Sequence, residues 1–203
     1  MRVLGLDEAG RGCVLGPLVV GGFCCDAAQI DALKAAGADD SKALSAKKRE
    51  ALLEPLAALG EWALVYVEPV QIDNGNMNTL EEDAFVELIE NYRPDRVIID
   101  APVHPGGIAK FTRRLLGRLS IEPEMVVEPK ADANYPPCGA ASIFAKVHRD
   151  RRIQALGAVG SGYPSDPVTR KWLKGFIDRN EPFPDSVRTR WGTIDNLRQQ
   201  SLF

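Results

Sequence analysis

Four cysteines and two histidines are all that 203 residues supply of the softer metal-ligating types. Cys13, Cys24, Cys25 and Cys138 form no C-x-x-C pair, and no histidine follows at zinc-finger spacing. Cys24 and Cys25 lie in an apolar run, where cysteine serves as a small buried hydrophobe, and this usage predicts a reducing, cytoplasmic setting. Long apolar runs are also missing. The longest, Val14 to Cys25, is too short to span a bilayer and is broken by Pro17 and three glycines. No cleavable leader is visible, because Arg2 runs directly into a strand-like segment. Internal repeats and low-complexity tracts are lacking as well. So is an excess of positive charge: 25 Lys and Arg against 28 Asp and Glu give a net charge of −3. Proteins that bind nucleic acid usually carry a basic footprint, but carboxylates gathered around bound metal would mask one in the sum.

The composition is otherwise that of an ordinary globular chain, 45% hydrophobic and 26% charged, long enough for one sizeable core. Apolar periodicity and turn signals predict strands at Arg2–Asp7, Gly16–Cys25, Trp62–Val67, Arg96–Asp100 and Glu122–Val127. Helices are expected at Ala27–Ala36, closed by Gly37, and at Ala46–Leu59, capped by Ser45. Further helices are expected at Thr79–Tyr92, Gly107–Leu119 and Ala140–Leu156. Beyond about Gly160 the chain is richer in Pro, Gly and charge, with short helices expected at Val168–Arg179 and Thr193–Ser201. Strands in a run, then strands alternating with helices, describe an α/β protein with a mixed sheet flanked by helices.

Two of the strands end in acids, Asp7 after Val3-Leu4-Gly5-Leu6 and Asp100 after Val97-Ile98-Ile99. Sites in open α/β sheets form outside the carboxyl ends of strands. If these two strands are neighbours about 4.8 Å apart, their carboxylates suit a pair of hard cations about 3.5–4 Å apart. Oxygen ligands without an organised Cys or His cluster favour Mg²⁺ or Mn²⁺ over zinc. Glu8 follows Asp7, and both reach one site only if the strand ends there, since successive strand residues point to opposite faces. The turn Gly10-Arg11-Gly12 brings backbone N–H groups within reach of a sugar or phosphate, and Arg11 adds a fixed cation. Asp95, Asp150 and Asp166 compete for catalytic roles but read as structural, and His104 and His148 as surface or loop residues.

Taken together, several short motifs carry a specific resemblance. They are Asp7-Glu8-Ala9-Gly10-Arg11-Gly12, Asp40-Ser41-Lys42, Lys130-Ala131-Asp132, Ala140-Ala141-Ser142-Ile143 with Ala145-Lys146-Val147 and Arg149-Asp150, and Gly160-Ser161-Gly162-Tyr163-Pro164-Ser165-Asp166-Pro167. In this order and spacing the chain resembles the ribonuclease HII family, most closely its archaeal branch, from the first residues to about Trp191.

The resemblance implies a ribonuclease H-like sheet in residues 1–158 and a helical C-terminal appendage, 159–203, that contributes to substrate binding. It implies a catalytic and metal-binding set of Asp7, Glu8, Asp100 and Asp132 holding two Mg²⁺ or Mn²⁺ ions. The implied substrates are RNA–DNA hybrids and DNA duplexes with embedded ribonucleotides, cut on the 5′ side of the ribonucleotide to leave 3′-hydroxyl and 5′-phosphate ends. Recognition of the 2′-hydroxyl is assigned to Gly10, Arg11, Gly12 and Tyr163, and phosphate contacts to Lys42, Lys146 and Arg149. A monomer is expected. The tail Gln199-Gln200-Ser201-Leu202-Phe203 is similar to the start of a sliding-clamp-binding peptide, although the chain stops at Phe203. Two other readings share part of these features: another ribonuclease H-like nuclease or resolvase, and a hybrid-binding module without catalysis.

Overall fold

The computed structural model describes residues 1–38 and 44–200. Asp40-Ser41-Lys42, with the proposed phosphate contact Lys42, and the terminal Ser201–Phe203 lie outside the described residues.

Among the described residues five strands form one sheet: β1 (Arg2–Ala9), β2 (Leu18–Asp26), β3 (Glu61–Val67), β4 (Arg96–Asp100) and β5 (Glu124–Glu128), in the order β3-β2-β1-β4-β5. The first three pair antiparallel as a meander, whereas β4 and β5 join β1 in parallel. The sheet is therefore mixed, as the succession of strands followed by alternating strands and helices predicts.

The central strands are apolar along their whole length because both faces of the sheet are covered. Alternation along β1 sends Leu4 and Leu6 into one core, where they meet Phe85, Leu88 and Ile89 of α4 (Met77–Tyr92) and Phe111 and Leu115 of α5 (Ile108–Leu116). Val3 points the other way, with Ile98 of β4, toward Ala131 and Cys138. On that second face lies α7 (Pro136–Gln154), flanked by α1 (Ile30–Ala36) and α2 (Ala46–Ala57). Gly5 makes the close approach of α7 feasible. A Cβ built there would lie 2.1 Å from the Pro137 carbonyl carbon and 2.2 Å from the Cys138 nitrogen, so only glycine lets the helix backbone rest on the strand.

Local signals account for the element ends. Gly37, at φ 95°, closes α1, and the Ser45 hydroxyl accepts from the Lys48 N–H to start α2. Asn76 accepts from the Asn78 and Thr79 N–H groups, so α4 begins at Met77, two residues before the position expected from its apolar stripe. Two short helices were not anticipated, α3 (Pro69–Asn74) and α6 (Ala131–Asn134). Helix α7 starts at Pro136 rather than Ala140, because Pro136 and Pro137 occupy its first turn, where a missing N–H costs nothing. The segment Ala27–Gln29, expected as the beginning of a longer helix, is a 3-10 turn capped by Asp26.

The C-terminal part, with α8 (Pro167–Asp178) and α9 (Gly192–Gln200), closes over the loop after β1 rather than standing apart. Leu173, Val187, Ile194 and Leu197 share a core with Val14, Leu15 and Ile153. Among the described residues no helix is long and apolar enough to cross a membrane.

Candidate active site

In register, Leu6 of β1 pairs with Ile99 of β4, so the next residues on these two parallel strands are Asp7 and Asp100. Both fall on the face covered by α7. Asp132 reaches the same point from α6. Lys130, in the left-handed region at φ 63°, reverses the chain after β5, and the Ala131 N–H donates to Asp100 Oδ1 at 3.1 Å. One carboxylate oxygen from each of Asp7, Asp100 and Asp132 lies within 4.8 Å of the others. Asp7 and Asp132 are buried, at 4% and 2% exposure.

Three acids this close, two of them out of water, make an electrostatically unfavourable group in the absence of a cation. Burial holds the Asp7 carboxyl well above its usual range, and the neighbouring Glu8, Asp100 and Asp132 push it the same way, against a hydrogen bond from Ser142. A hard divalent cation among such oxygens removes that cost. The donor set therefore fits Mg²⁺ or Mn²⁺.

Glu8 is placed differently from its three partners in the proposed set. Strand β1 continues to Ala9 instead of ending at Asp7, so the alternation of side chains separates Glu8 from Asp7. The half-buried Glu8 lines the cleft, but its carboxylate is not one of the three that cluster within 4.8 Å.

The cleft beside the acids has a volume of about 400 Å³. It is lined by the Gly10-Arg11-Gly12 turn, by Lys146 and Arg149 of α7, and by Ser161 and Tyr163. Gly10 sits at φ 89°, and a Cβ on it would meet the Pro17 carbonyl oxygen at 2.7 Å, so both conformation and space require glycine there. Tyr163 is 42% exposed, and its ring lies over the Arg149 guanidinium, 5.0 Å from ring centroid to Cζ. Lys146 is half-buried in the cleft wall.

Arg149 was expected to contact phosphate, yet its guanidinium is 4% exposed and engaged inside the protein. Its Nη2 donates to the Ser161 carbonyl at 2.6 Å and to the Cys13 sulfur at 2.8 Å, and its Nη1 donates to Asp150 at 3.0 Å. It thereby ties the glycine-rich turn to the loop of Tyr163. Asp150 also pairs with Arg49 at 3.5 Å. Asp95 accepts the Arg2 N–H, and Asp166 caps α8 while accepting the Ser161 N–H. His104 caps the 3-10 turn at Pro105–Gly107 from an exposed position. His148 is less of a surface residue than expected, its ring tilted against Trp62 at 5.3 Å between centroids and its Nδ1 within 3.3 Å of the Tyr66 hydroxyl.

Four residues of the site escaped the sequence reading. Ser142 lies within a quoted motif but gained its role, a hydroxyl on Asp7, only from the packing of α7. Glu81 and Asn78 of α4 accept from the two terminal nitrogens of Arg11, each at 2.6 Å. Arg188 is fully buried, and no carboxylate pairs with it among the described residues. Instead it donates to the Gly10, Arg11 and Gly16 carbonyls at 2.7, 3.1 and 3.0 Å and stacks on Trp191. A lone arginine in a charged tail carries no sequence signal for such a role.

A mixed sheet with carboxylates converging from adjacent parallel strands, beside a cleft walled by a glycine-rich turn, defines a metal-dependent nuclease of the ribonuclease H-like class. Comparison with known proteins narrows the class. The family model for ribonuclease HII matches residues 4–194. Ribonuclease HII of Thermococcus sibiricus is 40% identical over 209 aligned positions, covering 98% of this chain and 92% of that protein. Among solved structures, the ribonuclease H2 of Pyrococcus horikoshii superposes with a TM-score of 0.90 at 38% identity, covering 98% of each chain. Ribonuclease HII of Archaeoglobus fulgidus, solved in complex with PCNA, gives 0.87 at 39% identity over 97% of each chain. The chain belongs to the ribonuclease HII family and is a ribonuclease H-type endonuclease.

Proposed function

We propose that this enzyme hydrolyses the phosphodiester on the 5′ side of a ribonucleotide, in RNA–DNA hybrids and in DNA duplexes with an embedded ribonucleotide, leaving 3′-hydroxyl and 5′-phosphate ends. The observation that carries the proposal is the meeting in one place of the Asp7–Asp100–Asp132 cluster, the Gly10-Arg11-Gly12 turn and Tyr163. Acids alone would suit any ribonuclease H-like nuclease. The turn and the tyrosine add the means to sense a 2′-hydroxyl.

Asp7, Asp100 and Asp132, with Glu8 at the rim, would hold two Mg²⁺ or Mn²⁺ ions. When bound, these supply an activated water and neutralise charge on the leaving 3′ oxygen. The protein's own groups do the positioning. Ser142 orients the Asp7 carboxylate from beneath, and the Ala131 N–H fixes Asp100. With Arg188 drawing the Gly10 and Arg11 carbonyls inward, the turn is held rigid against the cleft, ready to hydrogen-bond the ribose. Tyr163 packs its ring on the neighbouring sugar. Lys146 and Arg11 neutralise phosphates without reading sequence, while Arg149 aligns Tyr163 from behind. The C-terminal segment contributes through Tyr163 and Arg188.

The test is cleavage of an end-labelled DNA duplex with one ribonucleotide, in Mg²⁺, in Mn²⁺ and in chelator, beside an all-DNA control. One metal-dependent cut 5′ to the ribonucleotide is expected. No cut on this substrate or on a long hybrid would overturn the proposal, and hybrid binding retained in chelator would then favour a binding module.

The relative solved with PCNA supports a second reading, in which Gln199–Phe203 docks on a sliding clamp. Co-elution of the two proteins, abolished by removing the last five residues, is the expected result.

A further inference from the structure

Glu81 is a buried charge for which the cluster of acids gives no reason. It lies on α4 at 1% exposure, and burying a carboxylate is unfavourable unless it is paired and fully hydrogen-bonded. Glu81 is only half provided for. Its Oε2 accepts from Arg11 Nη1 at 2.6 Å, whereas its Oε1 is buried with no hydrogen-bond partner among the described residues. Burial raises its carboxyl to about 7 in spite of Arg11, with Glu82 and Asp7 adding to the rise. Buried pairs of this kind contribute little to a fold, and an apolar side chain of similar volume commonly serves stability as well or better. What the pair does supply is geometry. Asn78, one turn earlier on the same helix face, accepts from Arg11 Nη2 at 2.6 Å. Two side chains of one helix thus grip both terminal nitrogens and fix the plane of the guanidinium.

We propose that Glu81, together with Asn78, is a positioning residue for cleavage, holding the Arg11 guanidinium in one orientation at the cleft so that its remaining N–H donors meet a phosphate of the substrate. The inference rests on the reading of Arg11 as a substrate contact. Arginine has five N–H donors in a rigid fork, and the two hydrogen bonds to α4 leave three. A guanidinium already immobilised loses little freedom when the phosphate arrives. The cost is a negative charge close to the substrate. This sets the two possible effects of Glu81 in opposition: as a mere charge it repels phosphate and its removal improves binding, whereas as a positioning group its removal weakens binding.

The experiment measures kcat, KM and Tm on the single-ribonucleotide duplex for E81M, E81Q, N78A, R11A and R11A/E81M. E81M is expected to melt at or above the wild-type temperature and yet lose roughly tenfold in kcat/KM, mainly through KM. E81Q, which still offers an oxygen to Arg11, should recover most of that loss. In the R11A background E81M should cost nothing more. Asn78 is exposed, so N78A keeps the test open should E81M fail to fold, and it should weaken KM in the same direction. Activity of E81M equal to or above wild type, or an undiminished loss in the R11A background, would overturn the proposal. R11A at wild-type activity would refute the reading of Arg11 itself, and with it the role of Glu81.

Discussion

Arg188→Met removes a side chain that joins the C-terminal segment to the carbonyls of the Gly10–Gly16 loop. Charge-assisted hydrogen bonds contribute about 1.5–3 kcal/mol each, so the three to Gly10, Arg11 and Gly16 amount to roughly 4.5–9 kcal/mol. Against this stands the cost of burying the cation. Burial lowers the Arg188 guanidinium from its ordinary range to about 10, which at about 1.4 kcal/mol per pH unit is a cost of roughly 3.5 kcal/mol. The difference is about 1–5.5 kcal/mol of stability, centred on about 3. Methionine fills much of the volume, so the loss reflects the hydrogen bonds more than a cavity. For a chain of this length, about 3 kcal/mol corresponds to a fall in Tm of roughly 6–12 °C. Urea denaturation and thermal melting measure the change directly, and the loosened turn should also lose activity on a ribonucleotide-containing duplex. A variant within about 0.5 kcal/mol of wild type would refute the reasoning, because it would mean that the loop carbonyls find other partners at no cost.

Gly5→Ala should cost about 3 kcal/mol or more, since a Cβ there meets the α7 backbone at 2.1 Å; an unchanged urea midpoint would contradict the close approach. Asp100→Asn should fold normally but lose activity by at least about 100-fold, and near-normal turnover would remove it from the catalytic set. Tyr163→Ala should reduce cleavage of a single-ribonucleotide duplex more than that of a long hybrid, and equal losses would count against a role at the junction. Hydrogen bonds from Ser161 and Val168 lower the Asp166 carboxyl to about 2 in the folded protein. Its stabilising effect is therefore fully present above the unfolded value of about 3.9 and is lost as pH falls toward 2. The stability gap between wild type and Asp166→Asn should close over that window, so a gap independent of pH would disprove the assignment.

How far the site could be read from the sequence depended on how local each signal was. Asp7 and Asp100 stand out because each follows an apolar run in the sequence, and the glycine-rich turn because its residues are contiguous. The expected strand end at Asp7 was wrong, since nothing local shows that β1 remains paired with β2 through Ala9. Helix α6 is only four residues long, too short for any periodicity, so the route that brings Asp132 beneath Asp100 was invisible. For Arg149 and Arg188 residue type was misleading, because an arginine usually signals a solvated charge.

The sequence by itself determined the alternation that makes a mixed sheet, the caps at Ser45 and Gly37, and the family to which the chain belongs. All of these depend on neighbouring residues or on short motifs in a given order. The tertiary structure alone decided which charges leave water. The burial of Glu81, Arg149 and Arg188 is set by helices and loops distant in sequence, and burial converts a surface cation or acid into a fixed hydrogen-bonding group, since in low dielectric each must be held by specific partners.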